Sequence, residues 1–184
     1  AISLRLIKRL KALDCGCNLS RQFARDMFLF SFYTRGMSFI DMAYLRKSDI
    51  KRGILSYRRR KTDQQLLIKW EKCMQDIVDK YHTTDSEYLL PIIRTTSKTQ
   101  ARKQYLNSIR TINQHLKQIG QITNLPLPLT TYVARHSYAT VLKRSGVSTS
   151  IISESLGHST ERITQVYLDS FGNEQMDKAM KNLL

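Results

Sequence analysis

The chain has 184 residues and carries 30 Lys and Arg against 15 Asp and Glu, a net charge of +15 with a pI near 10.0. A single domain with that surplus points to a polyanionic partner, nucleic acid first, because each phosphate neutralised by Lys or Arg releases condensed counterions; a merely solubilising or ribosome-associated basic surface is the plainer alternative. No apolar run approaches the roughly 18 residues of a membrane span, and the basic, amphipathic opening stretch has neither the apolar length nor the small-residue cleavage site expected of a secretory signal. Cys15, Cys17 and Cys73 are too few and too unevenly spaced for a disulfide framework or a tetrahedral metal site, so they read as reduced thiols of a cytoplasmic protein.

Apolar residues at helical spacing predict helices in "ISLRLIKRLKAL" and "SRQFARDMFLFSFYTRG", the second capped by Ser20 and stopped at Gly36. A short helix follows in "SFIDMAYL", with Ser38 near its cap, and "RKSDI" reads as a turn and strand start. In "GILSYRRRKTDQQLLIKW" the period changes: β-friendly runs at 54–58 and 66–70 flank a polar centre, the pattern of a hairpin and the one convincing sheet. Helix returns from Glu71 to Tyr81. The polar stretch 95–104 reads as a loop feeding a helix that Gly120 ends, "TNLPLPLT" as a connector, and "TTYVARHSYATVLKRSG" as a helix closed by Gly146. Two more helices follow, in "STSIISESLGH" and "STERITQVYL". The tail "NEQMDKAMKNLL" is amphipathic through Met176, Met180 and Leu183. There is no Gly-rich phosphate loop, which argues against a P-loop NTPase.

Breaking a phosphodiester without metal needs a nucleophile, fixed cations for the charge on the nonbridging oxygens, and an acid for the leaving 5′ oxygen. In chain order the sequence offers Lys61 in the hairpin, Arg135 in "ARHSYAT", His158 in "LGHS" and Tyr167 nine residues later. Taken singly, each has an ordinary reading: a core aromatic, a capping histidine, a solvated lysine. The 35 residues from Ala134 to Leu168 closely resemble the C-terminal signature of the tyrosine recombinases, the phage integrase family: an R-H-[ST] motif, then L-G-H, then T-x-x-Y. "FYTRGMSFIDMAYLRKSDI" resembles that family's first motif and "YRRRKT" its lysine turn, and the "RGMSF" pattern is similar to Bacteroides-type integrases.

The resemblance implies a mainly α fold with a small antiparallel sheet, and residues 1–184 as one catalytic domain whose N-terminal DNA-clamping partner domain is not included. It implies a site-specific recombinase with Tyr167 as nucleophile, forming a 3′-phosphotyrosyl link. Arg135 clamps the phosphate, His158 helps stabilise it, and Lys61 protonates the departing oxygen. No cofactor, metal or ATP is implied. The partners are double-stranded DNA at a specific crossover site and other recombinase subunits, as a tetrameric synapse, in a bacterial cytoplasm. Two departures stand out. Ser38 occupies the place of the family's first arginine, with Arg35 preferred as its replacement over Arg25; Tyr132 stands where histidine is common, and its phenol is a poor base at neutral pH. His136 is given a structural role. Arg58, Arg59, Arg60, Lys98, Arg102 and Lys103 are candidate phosphate contacts that fix register. A catalytically impaired DNA-binding module and a type IB topoisomerase are the competing readings.

Overall fold

The computed structural model describes residues 1–82, 85–125, 127–166 and 168. Its helices are α1 (Leu4–Ala12), α2 (Leu19–Tyr33), α3 (Phe39–Ala43), α4 (Lys72–Lys80), α5 (Lys98–Ile122), α6 (Thr131–Arg144) and α7 (Thr149–Leu156), followed by a helical run at 161–166. The sheet has three antiparallel strands in chain order, β1 (Ile50–Lys51), β2 (Ile54–Arg58) and β3 (Gln65–Lys69). The architecture is thus mainly helical with one small sheet.

Local chemistry sets most of the boundaries. Asn18, rather than Ser20, caps α2 by accepting from the Arg21 amide; a cap must sit one residue outside the helix, and Ser20 lies inside it. Thr130 and Ser148 cap α6 and α7 in the same way. In the hairpin, Leu55 pairs with Ile68 and Tyr57 with Leu66. These four face the core while their neighbours face outward, as period-two alternation requires.

Two expectations are corrected. The polar stretch 95–104 is a loop only to Ser97, where α5 begins. Ala, Gln, Arg and Lys are good helix formers, and Ala101, buried at 3% exposure, supplies the packing contact that so few apolar letters concealed. Gly120 does not end α5, which runs to Ile122. Instead Gly120 is buried, and an added Cβ there would meet the Leu129 amide nitrogen at 3.4 Å; it is a point of close approach between α5 and the segment leading into α6.

The core is built on α2, whose Phe28 and Phe30 pack among Met37, Met42, Leu55, Leu116 and Ile119. A smaller cluster of Ala139, Ile152, Leu156 and Leu168 seats α7 on α6. On α2, Asp26 is buried among Arg25 at 2.7 Å, Lys80 at 2.6 Å and the Tyr81 hydroxyl at 2.7 Å. Arg25 also donates to the Leu13 carbonyl. The second candidate for the missing arginine is therefore committed to a structural network of α1, α2 and α4.

Candidate active site

Helix α2 ends in a sharp turn where Arg35 and Gly36 both have positive φ, 59° and 68°. The turn lets the chain pass directly under α6: a Cβ on Gly36 would meet the Arg135 Cα at 3.1 Å and Leu156 Cδ2 at 3.2 Å. Only glycine accommodates both the left-handed backbone and that approach. Arg135, 4% exposed, then donates to the Gly36 carbonyl at 2.8 Å and to the Leu156 carbonyl at 2.5 Å. Its guanidinium is fixed between the α2–α3 turn and the C-terminal end of α7.

The residues after Leu156 repeat the device. Gly157 terminates α7 with φ 63°, the left-handed C-cap that exposes its carbonyl to the hairpin. That carbonyl accepts from Arg59 Nη1 at 2.5 Å and from the Thr62 hydroxyl at 3.1 Å. A Cβ on Gly157 would lie 2.9 Å from Arg59 Cδ and 3.0 Å from Leu66 Cδ1. The glycine in "LGH" is therefore needed for the helix stop and for the passage of the Arg59 side chain across it.

Lys61 is exposed at the turn between β2 and β3, and the turn is pinned on both sides. The Arg60 amide donates to Asp41 Oδ1 at 2.9 Å, and Thr62 holds Gly157. Asp41, buried on α3, also accepts from the Ser38 hydroxyl at 2.5 Å and faces Arg59 Nε at 3.8 Å. Ser38 and Arg59 thus approach the same carboxylate oxygen, Oδ2.

His158 follows Gly157 and is 9% exposed, its Nδ1 sharing a 2.7 Å hydrogen bond with the Thr164 hydroxyl. Burial lowers its pKa to about 4, and the positive charges of Arg135, Arg59 and Lys61 push in the same direction. The ring is therefore neutral at pH 7. Tyr57 on β2 reports the same field: burial and then Asp41 raise its pKa, while Arg135, Arg59 and Arg35 oppose that rise. The structure brings Arg135, His158 and Lys61 together with Arg35 at the edge, where Arg35 also lines a concavity with Gln64, Leu66, Ile151 and Glu154.

Tyr132 lies on the first turn of α6, 54% exposed, its ring edge-on to His136 at 4.4 Å between centroids. Burial lowers the pKa of His136 to about 4. Tyr167 lies outside the described residues. Of its neighbours in sequence, Thr164 is buried on His158 and Leu168 is buried in the α6–α7 cluster.

The six candidate phosphate contacts separate into groups. Arg60, Lys98 and Arg102 line one concavity with Arg46 and Tyr44, the Arg60 guanidinium 3.9 Å above the Tyr44 ring. Arg58 and Lys103 are exposed, Arg58 pairing with Asp63 at 3.3 Å. Arg59 differs from all of these, at 6% exposure and directed inward to Gly157 and Asp41. Sequence reasoning grouped it with its exposed neighbours because three consecutive arginines look alike; strand alternation, which turns 55, 57 and 59 inward, was the signal that separates it.

The Phage integrase family model matches residues 17–174. The chain belongs to the phage integrase family. It is 31% identical over 140 residues to the tyrosine recombinase XerA of Thermococcus kodakarensis, a match covering 73% of this chain and 47% of that protein. The chain spans about half the length of the curated relatives it matches. Among solved structures, XerA recombinase superposes with a TM-score of 0.64 at 22% identity, covering 97% of this chain and 64% of that one. The XerH site-specific recombinase bound to palindromic difH substrate, a post-cleavage complex, superposes with a TM-score of 0.63 at 15% identity, covering 96% of this chain and 50% of that one. These likenesses establish the fold shared by this phage integrase domain and those enzymes.

Proposed function

We propose that this chain is the catalytic domain of a site-specific DNA recombinase that cleaves and rejoins strands through a 3′-phosphotyrosyl intermediate. The observation that carries the reading is the convergence of Arg135, His158 and Lys61, contributed by α6, the α7 C-terminus and the hairpin turn, on one electropositive point. Tyr167 is the nucleophile in this reading, from its place in the "TQVYL" motif of a phage integrase family chain.

In the proposed step the Tyr167 oxygen attacks phosphorus, its proton passing to solvent or a neighbouring base, and the P–O5′ bond breaks in line. Lys61 gives a proton to the departing 5′ oxygen, and the reverse reaction with a 5′ hydroxyl from another strand restores the tyrosine. Arg135 holds nonbridging oxygens in a forked geometry that its two carbonyl contacts orient beforehand. His158, neutral before DNA arrives, donates to the phosphate and gains charge as negative charge approaches. Arg35 and Tyr132 contribute from the rim. Every group in this scheme is a side chain, so it calls for neither a metal ion nor ATP.

Arg60, Lys98 and Arg102 hold the duplex backbone, with Arg58 and Lys103 flanking them. Partner subunits assemble on DNA as a synaptic tetramer, in the cytoplasm of a bacterium. The Bacteroides-type assignment rests on "RGMSF", where Ser38 replaces an arginine.

The test is a nicked duplex carrying a site this chain selects from a randomised pool, incubated without divalent metal and run on a denaturing gel. A covalent protein–DNA band is expected from the parent and not from Tyr167→Phe. A parent that binds the site without forming an adduct supports the DNA-binding module instead; relaxation of a supercoiled circle without strand exchange supports the topoisomerase.

A further inference from the structure

We propose that Arg59 is the second guanidinium that neutralises the scissile phosphate, in place of an arginine at position 38. The inference rests on the recombinase reading and names a residue that the sequence had placed among the general DNA contacts.

Three observations carry it. Arg59 and Arg135 grip consecutive carbonyls, Gly157 and Leu156, each at 2.5 Å. Successive Cα atoms are only about 3.8 Å apart, so the two side chains reach neighbouring points of the chain, immediately before His158. They are also buried to the same degree, at 6% and 4% exposure.

The Arg59 guanidinium is incompletely satisfied. Its Nε–H is buried with no hydrogen-bond acceptor among the described residues, and Asp41 Oδ2 stands off at 3.8 Å. Asp41 is meanwhile engaged by Ser38 and by the Arg60 amide. A buried cation left in that condition is costly unless an anion completes it. The charge around the site agrees: Arg135, Arg59, Lys61 and Arg35 act on His158 or Tyr57, and among the described residues the carboxylate that acts on Tyr57 is Asp41.

The place is also the right one. Ser38 and Arg59 meet at the same oxygen of Asp41, so the hairpin delivers its guanidinium to the space beside position 38, where the serine side chain itself carries no charge. Arg35 lies in a separate concavity with Gln64, Leu66 and Ile151, and is only half-buried.

The experiment compares the parent, Arg59→Ala, Arg59→Lys and Arg35→Ala on two nicked duplexes of the selected site. One has the natural phosphate at the position where the parent's adduct maps. The other has a methylphosphonate there, which replaces a charged nonbridging oxygen by methyl and removes the need for one cation. Gel-shift binding of each variant to the intact site serves as the folding control. Arg59→Ala is expected to bind as the parent does, to form adduct about 10²–10³-fold more slowly on the phosphate, and to recover on the methylphosphonate. Arg35→Ala is expected to lose less than tenfold on the phosphate.

An Arg59→Ala protein that reacts within threefold of the parent overturns the proposal. So does one that binds but is equally impaired on both duplexes, which would make Arg59 a positioning residue. If Arg59→Ala fails to bind, Arg59→Lys, which keeps the charge beside Asp41, decides by the same comparison: recovery on the methylphosphonate supports the assignment and equal loss on both overturns it. A parent with no Tyr167-dependent adduct on either duplex overturns the recombinase reading itself, an outcome distinct from a reactive parent with a reactive Arg59→Ala.

Discussion

Arg59 and Arg135, 76 residues apart in sequence, donate to the carbonyls of adjacent residues, Gly157 and Leu156. The C-terminal end of α7 is thus the floor on which both guanidiniums are set, and its geometry depends on a left-handed glycine. Such carbonyls have no partner within the helix, and here arginines satisfy them. One arrangement therefore completes a helix end and orients two cations.

Gly157→Ala should damage this floor. The alanine Cβ would meet Arg59 Cδ at 2.9 Å on a backbone at φ 63°, and such strain costs about 1–3 kcal/mol. A lower melting temperature is expected, with adduct formation falling further than DNA affinity. Unchanged melting and cleavage in Gly157→Ala would show that the helix end can relax without moving Arg59.

Asp41→Ala strands Arg59 without its carboxylate and frees the Arg60 amide from its acceptor. Removing one partner of a buried pair costs about 3–5 kcal/mol, so urea unfolding should shift strongly to lower denaturant. Pairing Asp41→Ala with Arg59→Met, which removes both charges, should return part of that loss. If the double variant is as unstable as the sum of the singles, the pair contributes no coupling.

His158 and His136 are both lowered to about 4 from an ordinary 6.5. The folded state then binds fewer protons than the unfolded chain between those values, so stability rises with pH across the window from about 4 to 6.5 and is flat above it. The buried His158 contributes up to roughly 3 kcal/mol of this change, and half-buried His136 less. Melting temperatures from pH 4 to pH 8 check the slope, and His158→Gln should flatten it. In the proposed complex a phosphate lies beside the ring, so a duplex should raise the His158 titration seen by NMR; a titration that is unmoved would place the phosphate elsewhere.

Lys61 is exposed and contributes little packing, so Lys61→Ala should melt with the parent. If it is the acid for the leaving group, as proposed, its loss should slow adduct formation by about 10²–10⁴-fold. A duplex with sulfur at the leaving 5′ position needs no proton, because a thiolate departs readily, and should restore the rate. Failure of that substrate to rescue Lys61→Ala would assign the lysine to phosphate binding instead.

The sequence by itself determined the order of elements and the chemistry available to them. Helical periodicity placed α1, α2, α4, α6 and α7, alternation placed the hairpin, and the spacing of Arg135, His158 and Tyr167 carried the family resemblance. It failed where short-range letters are ambiguous: a polar run rich in helix formers became the first turns of α5, and Gly120 served packing rather than termination. Only the tertiary structure decided where each basic residue points. Arg58, Arg59 and Arg60 are chemically the same in sequence, and the outcome for each depends on its partners: Asp63 in the same turn for the first, the distant Gly157 and Asp41 for the second, the Tyr44 ring for the third. Periodicity shows which way a side chain points, whereas the carbonyl and carboxylate it meets are brought there by packing of α3 and α7 against the sheet, a long-range fact that no local pattern encodes.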